Sequence, residues 1–185
     1  MTRIIAGVAG SLTLGVPDAG TRPTSDRVRE SLFGALDAAG LLERAAVVDL
    51  FAGSGALGLE AISRGAASAD LVEKSARAAS VTARNARLIE KAVPGSTVRV
   101  HRMSADAFLT AGTSRFDLVF LDPPYDLVEE ELATTLALAV PRLAAGATVI
   151  VERATRSPAP PLPAGLTHTR DKRYGDTTLW WSRAD

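Results

Sequence analysis

Apolar and polar residues change their period along this chain in a regular order. Short apolar runs suited to buried strands alternate with stretches whose apolar residues recur every three or four positions. Val28, Leu32, Ala35 and Leu36 share one helical face, with Ser25 or Asp26 placed to cap the helix and Gly40 to end it. Strands are then predicted over 46–50, 70–73, 97–101, 116–121 and 147–152. Between them the pattern predicts helices over 56–64, 75–93 and 129–143, and a short helical turn over 105–109. Gly65 closes the first of these and Pro94-Gly95 breaks the second. Pro158, Pro160, Pro161 and Pro163 form a stiff connector, and 166–172 and 177–182 read as a closing hairpin with Tyr174-Gly175 near its turn. At the other end, alternation about Gly10-Ser11 reads as a β-hairpin. Strict strand–helix alternation followed by a terminal hairpin predicts an α/β fold, a mostly parallel sheet with helices on both faces.

Composition narrows the function. The 185 residues suit one globular domain, and 46% apolar content gives it a sizeable core. No cysteine is present, which excludes disulfides, thiolate metal sites and the covalent thiolate route to 5-methylcytosine. His101 and His168 lack an HExxH-like spacing, so no metal is expected. No run approaches the roughly 18 apolar residues of a membrane span. The mildly apolar N-terminus is diluted by Gly7, Gly10, Ser11, Thr13 and Gly15 and lacks a cleavage site, so a cytoplasmic protein is expected. Zero net charge argues against a generic nucleic-acid binder. The charges are uneven, however. Arg153, Arg156, Arg170, Lys172, Arg173 and Arg183 face only Asp171 and Asp176 over 153–183, while acids gather at Asp126, Glu129, Glu130 and Glu131. A one-sided basic surface and a solvated C-terminal face fit this pattern equally.

The most informative stretch is Asp122-Pro123-Pro124-Tyr125, directly after the apolar strand 116–121. Ligand chemistry in open α/β sheets takes place at that end of a strand. The set suits the grip of a planar exocyclic amine. Asp122 accepts one N–H, a proline-fixed carbonyl accepts another, and Tyr125 stacks on a flat base. A second signal runs from strand to helix, Asp49-Leu50-Phe51-Ala52-Gly53-Ser54-Gly55-Ala56-Leu57-Gly58. Gly53, Gly55 and Gly58 fit G-x-G-x-x-G, and Glu73 lies twenty residues past Gly53, placed to bind ribose hydroxyls. Taken literally, that is a nicotinamide-dinucleotide fingerprint. Asp49 shifts the balance, because a carboxylate here opposes a pyrophosphate and favours the sulfonium and ammonium of S-adenosylmethionine. The plainer role for Asp49 is to cap the helix. Asp106 follows the third strand, where its carboxylate can accept an adenine amine or simply start a helix.

Together these residues resemble the class I S-adenosylmethionine-dependent methyltransferases. The closer resemblance is to the bacterial 16S rRNA guanine-N2 methyltransferases of the small ribosomal subunit, the RsmD family. Its carriers span nearly the whole chain: Arg3 to Gly7, Thr21 to Glu30, Asp49 to Glu60, Val72-Glu73-Lys74, Asp106-Ala107, Phe116 to Tyr125 and Tyr174 to Thr177. The resemblance implies a Rossmann-like seven-stranded sheet with an antiparallel C-terminal hairpin. It assigns 1–24 to an N-terminal hairpin extension and 25–185 to the methyltransferase domain. By the same analogy Asp49, Gly53, Ser54 and Gly55 hold the methionine part of S-adenosylmethionine. Glu73, with Lys74 beside it, holds the ribose, and Asp106 with Ala107 the adenine. Thr24 and Arg27 close over the pocket, and Asp122, Pro123 and Tyr125 act on the target base. Arg22, Arg29, Lys172 and Arg173, with Tyr174 nearby, are the candidate contacts to 16S rRNA, within a small-subunit particle. For Arg22 and Arg29, pairing with Asp26, Glu30 or Glu43 is the structural alternative. A monomer is expected. One departure is visible: relatives often carry basic residues in the hairpin, where this chain has Val8-Ala9-Gly10-Ser11-Leu12-Thr13. The rival readings are a DNA adenine-N6 or cytosine-N4 methyltransferase and a non-catalytic RNA-binding scaffold. The DNA enzymes usually add a target-recognition region, and only 60 residues follow Tyr125.

Overall fold

A computed structural model describes residues 1–17 and 25–185. In the main sheet the strands in chain order are β3 (Ala46–Asp49), β4 (Ser68–Val72), β5 (Thr97–His101), β6 (Phe116–Leu121), β7 (Leu143–Ala154), β8 (Leu166–Tyr174) and β9 (Thr177–Ala184). Their spatial order is β5-β4-β3-β6-β7-β9-β8. The first five in sequence run parallel, β9 is antiparallel to β7, and β8 is antiparallel to β9. From β3 the chain winds outward to β5, then returns to the far side of β3 at β6. The winding reverses between β3 and β6, and this is where a crevice opens beyond the strand ends.

The central strands are apolar on both faces because both faces are covered. Leu118 and Phe120 of β6 join one core with α1 (Asp26–Ala38), α2 (Ala56–Ser63) and α3 (Ala76–Ala92), through side chains such as Phe33, Ile62 and Ile89. Val119 and Leu121 join the other with α4 (Ala105–Ala111) and α5 (Glu129–Ala139), through Phe108, Leu132 and Leu136. Among the described residues, no helix is long and apolar enough to cross a membrane.

The expected boundary between α5 and β7 moves. The helix predicted over 129–143 stops at Ala139, a single 3-10 turn covers Val140–Arg142, and β7 already begins at Leu143. Pro141 cannot continue the helical hydrogen bonding. Arg142 turns inward, donating from Nε to Ser114 O (2.6 Å) and from Nη1 to Phe108 O (3.1 Å) and Leu109 O (2.9 Å). It thereby caps the C-terminal carbonyls of α4. Strand β7 is correspondingly longer than the predicted 147–152, because its first residues join β6 through an irregular register between Phe116 and Leu118.

The N-terminal hairpin pairs β1 (Thr2–Arg3) with β2 (Thr13–Leu14) outside the main sheet. It docks on the C-terminal half of α2. The buried carboxylate of Glu60 accepts from Ile5 N (2.7 Å), Ala6 N (3.0 Å) and Arg64 Nε (2.7 Å). Ser63 donates to Ala6 O (2.6 Å) and accepts from Ala9 N (3.0 Å). Gly7 makes this approach possible: its φ is +83°, and an added Cβ would fall 1.9 Å from Ser63 O.

Candidate active site at the strand switch

Between β3 and α2 the backbone turns through Gly53 and Gly55 at φ of +55° and +81°, which only glycine adopts freely. The glycines differ in purpose. A Cβ on Gly53 would meet nothing within 4 Å, whereas one on Gly58 would lie 2.3 Å from Leu71 Cδ2. Gly53 therefore keeps an open approach, and Gly58 lets α2 sit close on β4. Side chains from α3 fix the loop's carbonyls. Thr82 Oγ1 donates to Gly53 O (2.6 Å) and Asn85 Nδ2 to Ser54 O (2.8 Å). Asn85 also brackets Gly15, donating to its carbonyl (2.9 Å) and accepting from its N–H (2.9 Å). Glu73, just past β4, completes the clamp with Oε2 accepting from Gly53 N (3.0 Å) and Oε1 from Ser75 N (2.7 Å). The loop's shape is thus set by the protein itself, a form of preorganisation.

Asp49, the last residue of β3, lies buried beneath this loop. Its Oδ2 accepts from Gly58 N (3.3 Å), supplying the cap that Gly55 at the helix N-cap cannot. Its Oδ1 is buried without a partner. Burial pushes the carboxyl up to about 7, opposed by the Gly58 N–H and reinforced by the carboxylates of Asp122 and Glu73. An unpaired buried acceptor among acids attracts positive charge and repels a pyrophosphate.

The crevice is a cavity of about 630 Å³, a size typical of sites for small ligands. Its walls come from successive strand ends: Leu50, Phe51 and Gly53 after β3, Val72, Glu73 and Lys74 at β4, Met103 to Asp106 after β5, and Asp122 to Leu127 after β6. Thr135 of α5 reaches in and donates to Asp106 Oδ1 (2.6 Å). Pro123 is buried, whereas Tyr125 is 65% exposed at the mouth. Phe51, Val72, Met103 and Leu127 give flat-ring-sized apolar walls between carboxylates suited to hydroxyls and amines. This donor set fits S-adenosylmethionine.

The family model described as "Conserved hypothetical protein 95" matches residues 2–183. Over 176 residues the chain is 38% identical to ribosomal RNA small subunit methyltransferase D of Escherichia coli (strain K12), covering 94% of this chain and 85% of the relative. The chain belongs to the ribosomal RNA small subunit methyltransferase D family. Its counterpart of that name in Haemophilus influenzae is 36% identical over 72% of this chain and 69% of its own length. The solved structure of yhhF from Escherichia coli superposes with a TM-score of 0.85 at 34% identity, covering 99% of this chain and 97% of that one. The fold is that of the class I methyltransferases.

For this member of the methyltransferase D family, the cavity brings together Asp122, Pro123, Tyr125, Gly53, Glu73, Lys74 and Asp106. Ala105 lines the wall where Ala107 was expected, and the Ala107 N–H is taken by Ser104 Oγ at 3.2 Å. Ser54 and Gly55 shape the loop from behind, Ser54 through its carbonyl and Gly55 because an added Cβ would crowd Leu71, Leu59 and Thr82 at 3.1–3.2 Å. Arg27 is exposed in the first turn of α1 and is not among the described residues lining the cavity. Thr24 and Arg22 lie outside the described residues.

Arg29 is a correction. Instead of facing solvent and phosphate it is buried, pairing with Asp26 (2.7 Å) and donating to Thr2 Oγ1 (2.8 Å) and Arg3 O (2.9 Å). It ties α1 to β1, the structural alternative raised by its acidic neighbours. Lys172 and Tyr174 stand together on β8: Lys172 Nζ donates to Ser31 Oγ (3.2 Å), lies 5.1 Å from the Tyr174 ring centroid, and Ser31 meets Tyr174 OH at 2.6 Å. Arg173 is exposed beside them. Thr82, Asn85 and Thr135 escape sequence reasoning. The available signal was a polar residue at the buried face of a helix, which must find a hydrogen-bond partner.

Proposed function

We propose that this chain transfers a methyl group from S-adenosylmethionine to the exocyclic N2 amine of a guanine in 16S rRNA of the small ribosomal subunit. The observation carrying this reading is that Asp122-Pro123-Pro124-Tyr125 shares one cavity with Gly53, Glu73 and Asp106. The names of the methyltransferase D relatives support ribosomal RNA as the substrate. Glu73 holds the ribose, Asp106 and the Ala105 wall the adenine, and the Gly53 side of the loop the methionine part, with Asp49 attracting its ammonium. The cofactor, when bound, supplies an activated methyl group.

The chain's own residues prepare the acceptor. The N2 lone pair of guanine is delocalised into the ring, and so weakly nucleophilic. Asp122 and the Pro123 carbonyl accept the two amine hydrogens and favour a pyramidal nitrogen with a localised lone pair. Tyr125, exposed at the mouth, stacks on the base, a contact of about 1–3 kcal/mol. Alignment of the two reactants supplies much of the acceleration. The surplus proton of the methylated amine leaves by way of the Asp122 carboxylate. The base must be unpaired or flipped to present this edge. Lys172, Arg173 and Tyr174 form the proposed RNA contact.

The test is incubation with methyl-labelled S-adenosylmethionine and three acceptors: undermodified small subunits, naked 16S rRNA and genomic DNA. Nucleoside digestion and mass spectrometry should find N2-methylguanosine from a ribosomal acceptor. Label recovered only as N6-methyladenine or N4-methylcytosine in DNA would overturn the reading.

A further inference from the structure

We propose that Glu152 reads the N1 position of the target base and so confines transfer to guanine. The inference rests on Asp122 as the acceptor for the exocyclic amine. Strands β6 and β7 are parallel neighbours with Leu121 opposite Val151, so Asp122 and Glu152 stand side by side one step further on. Phe120 and Ile150, two residues earlier on each strand, share the core formed with α1, α2 and α3. Side chains alternate along a strand, so Glu152 projects to that face, and Asp122 follows directly on the end of β6. Both also line one narrow cleft with Pro123, Pro124 and Tyr125.

Asp-Pro-Pro-Tyr grips an exocyclic amine but does not by itself choose among bases. The choice lies in the ring nitrogen beside the amine. Guanine carries a hydrogen there, on N1. Adenine at N1 and cytosine at N3 carry a lone pair instead. An ionised carboxylate only accepts hydrogen bonds. Asp122, the Pro123 carbonyl and Glu152 therefore offer three acceptors to the three hydrogens on guanine's N2 and N1. With adenine or cytosine, Glu152 faces a lone pair at close range. A site built to hydrogen-bond a group rejects analogues lacking it because its own polar atom is left unpaired.

The test uses small subunits whose 16S rRNA carries 2-aminopurine in place of the methylated guanine. That base keeps the N2 amine but has a lone pair at N1 and lacks O6. Wild-type enzyme should prefer guanine by about 100-fold or more in kcat/KM. In Glu152→Gln the amide can donate to the N1 lone pair, and the preference should fall to within about tenfold. A ratio between two substrates of one enzyme does not move with partial misfolding. An unchanged ratio in Glu152→Gln would assign the discrimination to O6 or another contact and overturn the inference, as would wild-type indifference between the bases. Absence of N2-methylguanosine from unsubstituted particles would instead sink the guanine reading itself, and the inference with it.

Discussion

The two oxygens of Asp49 stand in different surroundings. Sequence presented helix capping and cation attraction as alternatives; the structure gives Oδ2 to Gly58 N and leaves Oδ1 buried without a partner. The cost is a titration. Its ordinary value of 3.8 is raised to about 7 on folding, chiefly by burial. The native state therefore holds the proton more tightly than the unfolded chain. That contribution to stability is complete below about pH 4 and is lost as pH rises through about 7. In the ligand-free protein, Asp49→Asn should be more stable than wild type at pH 8, at about 1.4 kcal/mol per pKa unit removed, and the gap should narrow at pH 5. Urea denaturation at the two pH values measures it, and parallel shifts would refute the assignment. Asp122 makes the contrasting case. Asp122→Ala should abolish methyl transfer yet bind the cofactor as wild type does, as read by calorimetry. A cofactor affinity that fell with the rate would move Asp122 to the cofactor side of the cavity. These acids were legible because each sits within a motif that contains its own strand end. Arg29 was not, because only packing against β1 decides whether an arginine in a first helical turn faces inward or outward.

Strands and helices inherit their accuracy from pattern length. Strands 97–101 and 116–121 match expectation to the residue, since each is an unbroken extended run bounded by turn residues or by prolines. The α5 to β7 junction misled because apolar residues continue through it, and the switch is made by Pro141 and an inward Arg142. The N-terminal hairpin was visible as alternation, but not its seat on α2, which depends on Glu60 and Ser63 more than fifty positions away. That seat has little tolerance at Gly7. Gly7→Ala places a methyl 1.9 Å from a backbone oxygen at positive φ, and should cost at least about 2 kcal/mol. Hydrogen exchange supplies the local readout. The amides of Val8 and Ala9, bonded to Ser63, should lose protection before the sheet does. Unchanged protection there would mean the hairpin is held by something other than this contact.

Zero net charge hides an uneven distribution of acids and bases. The carboxylates of the strand ends surround the cavity, while Lys172 and Arg173 stand on β8, one of the two edge strands of the sheet. If those cations meet phosphate, replacing either by alanine should lower the slope of log affinity against log salt by about 0.7–0.9, with little change in cofactor binding. An unaltered slope would take β8 out of the RNA interface. The architecture as a whole was readable from alternation and the glycine loop. The bonds joining its parts were not, because partners such as Gly15 and Asn85 are 70 positions apart. That last contact has a consequence for anyone engineering the family. One amide from α3 holds the N-terminal segment with two bonds and the glycine loop with a third. The extension is therefore not a detachable module. Grafting a more basic hairpin onto this chain would succeed only if the donor's strand exit offers position 85 the same two backbone groups, and a mismatch there would be felt first in the shape of the glycine loop.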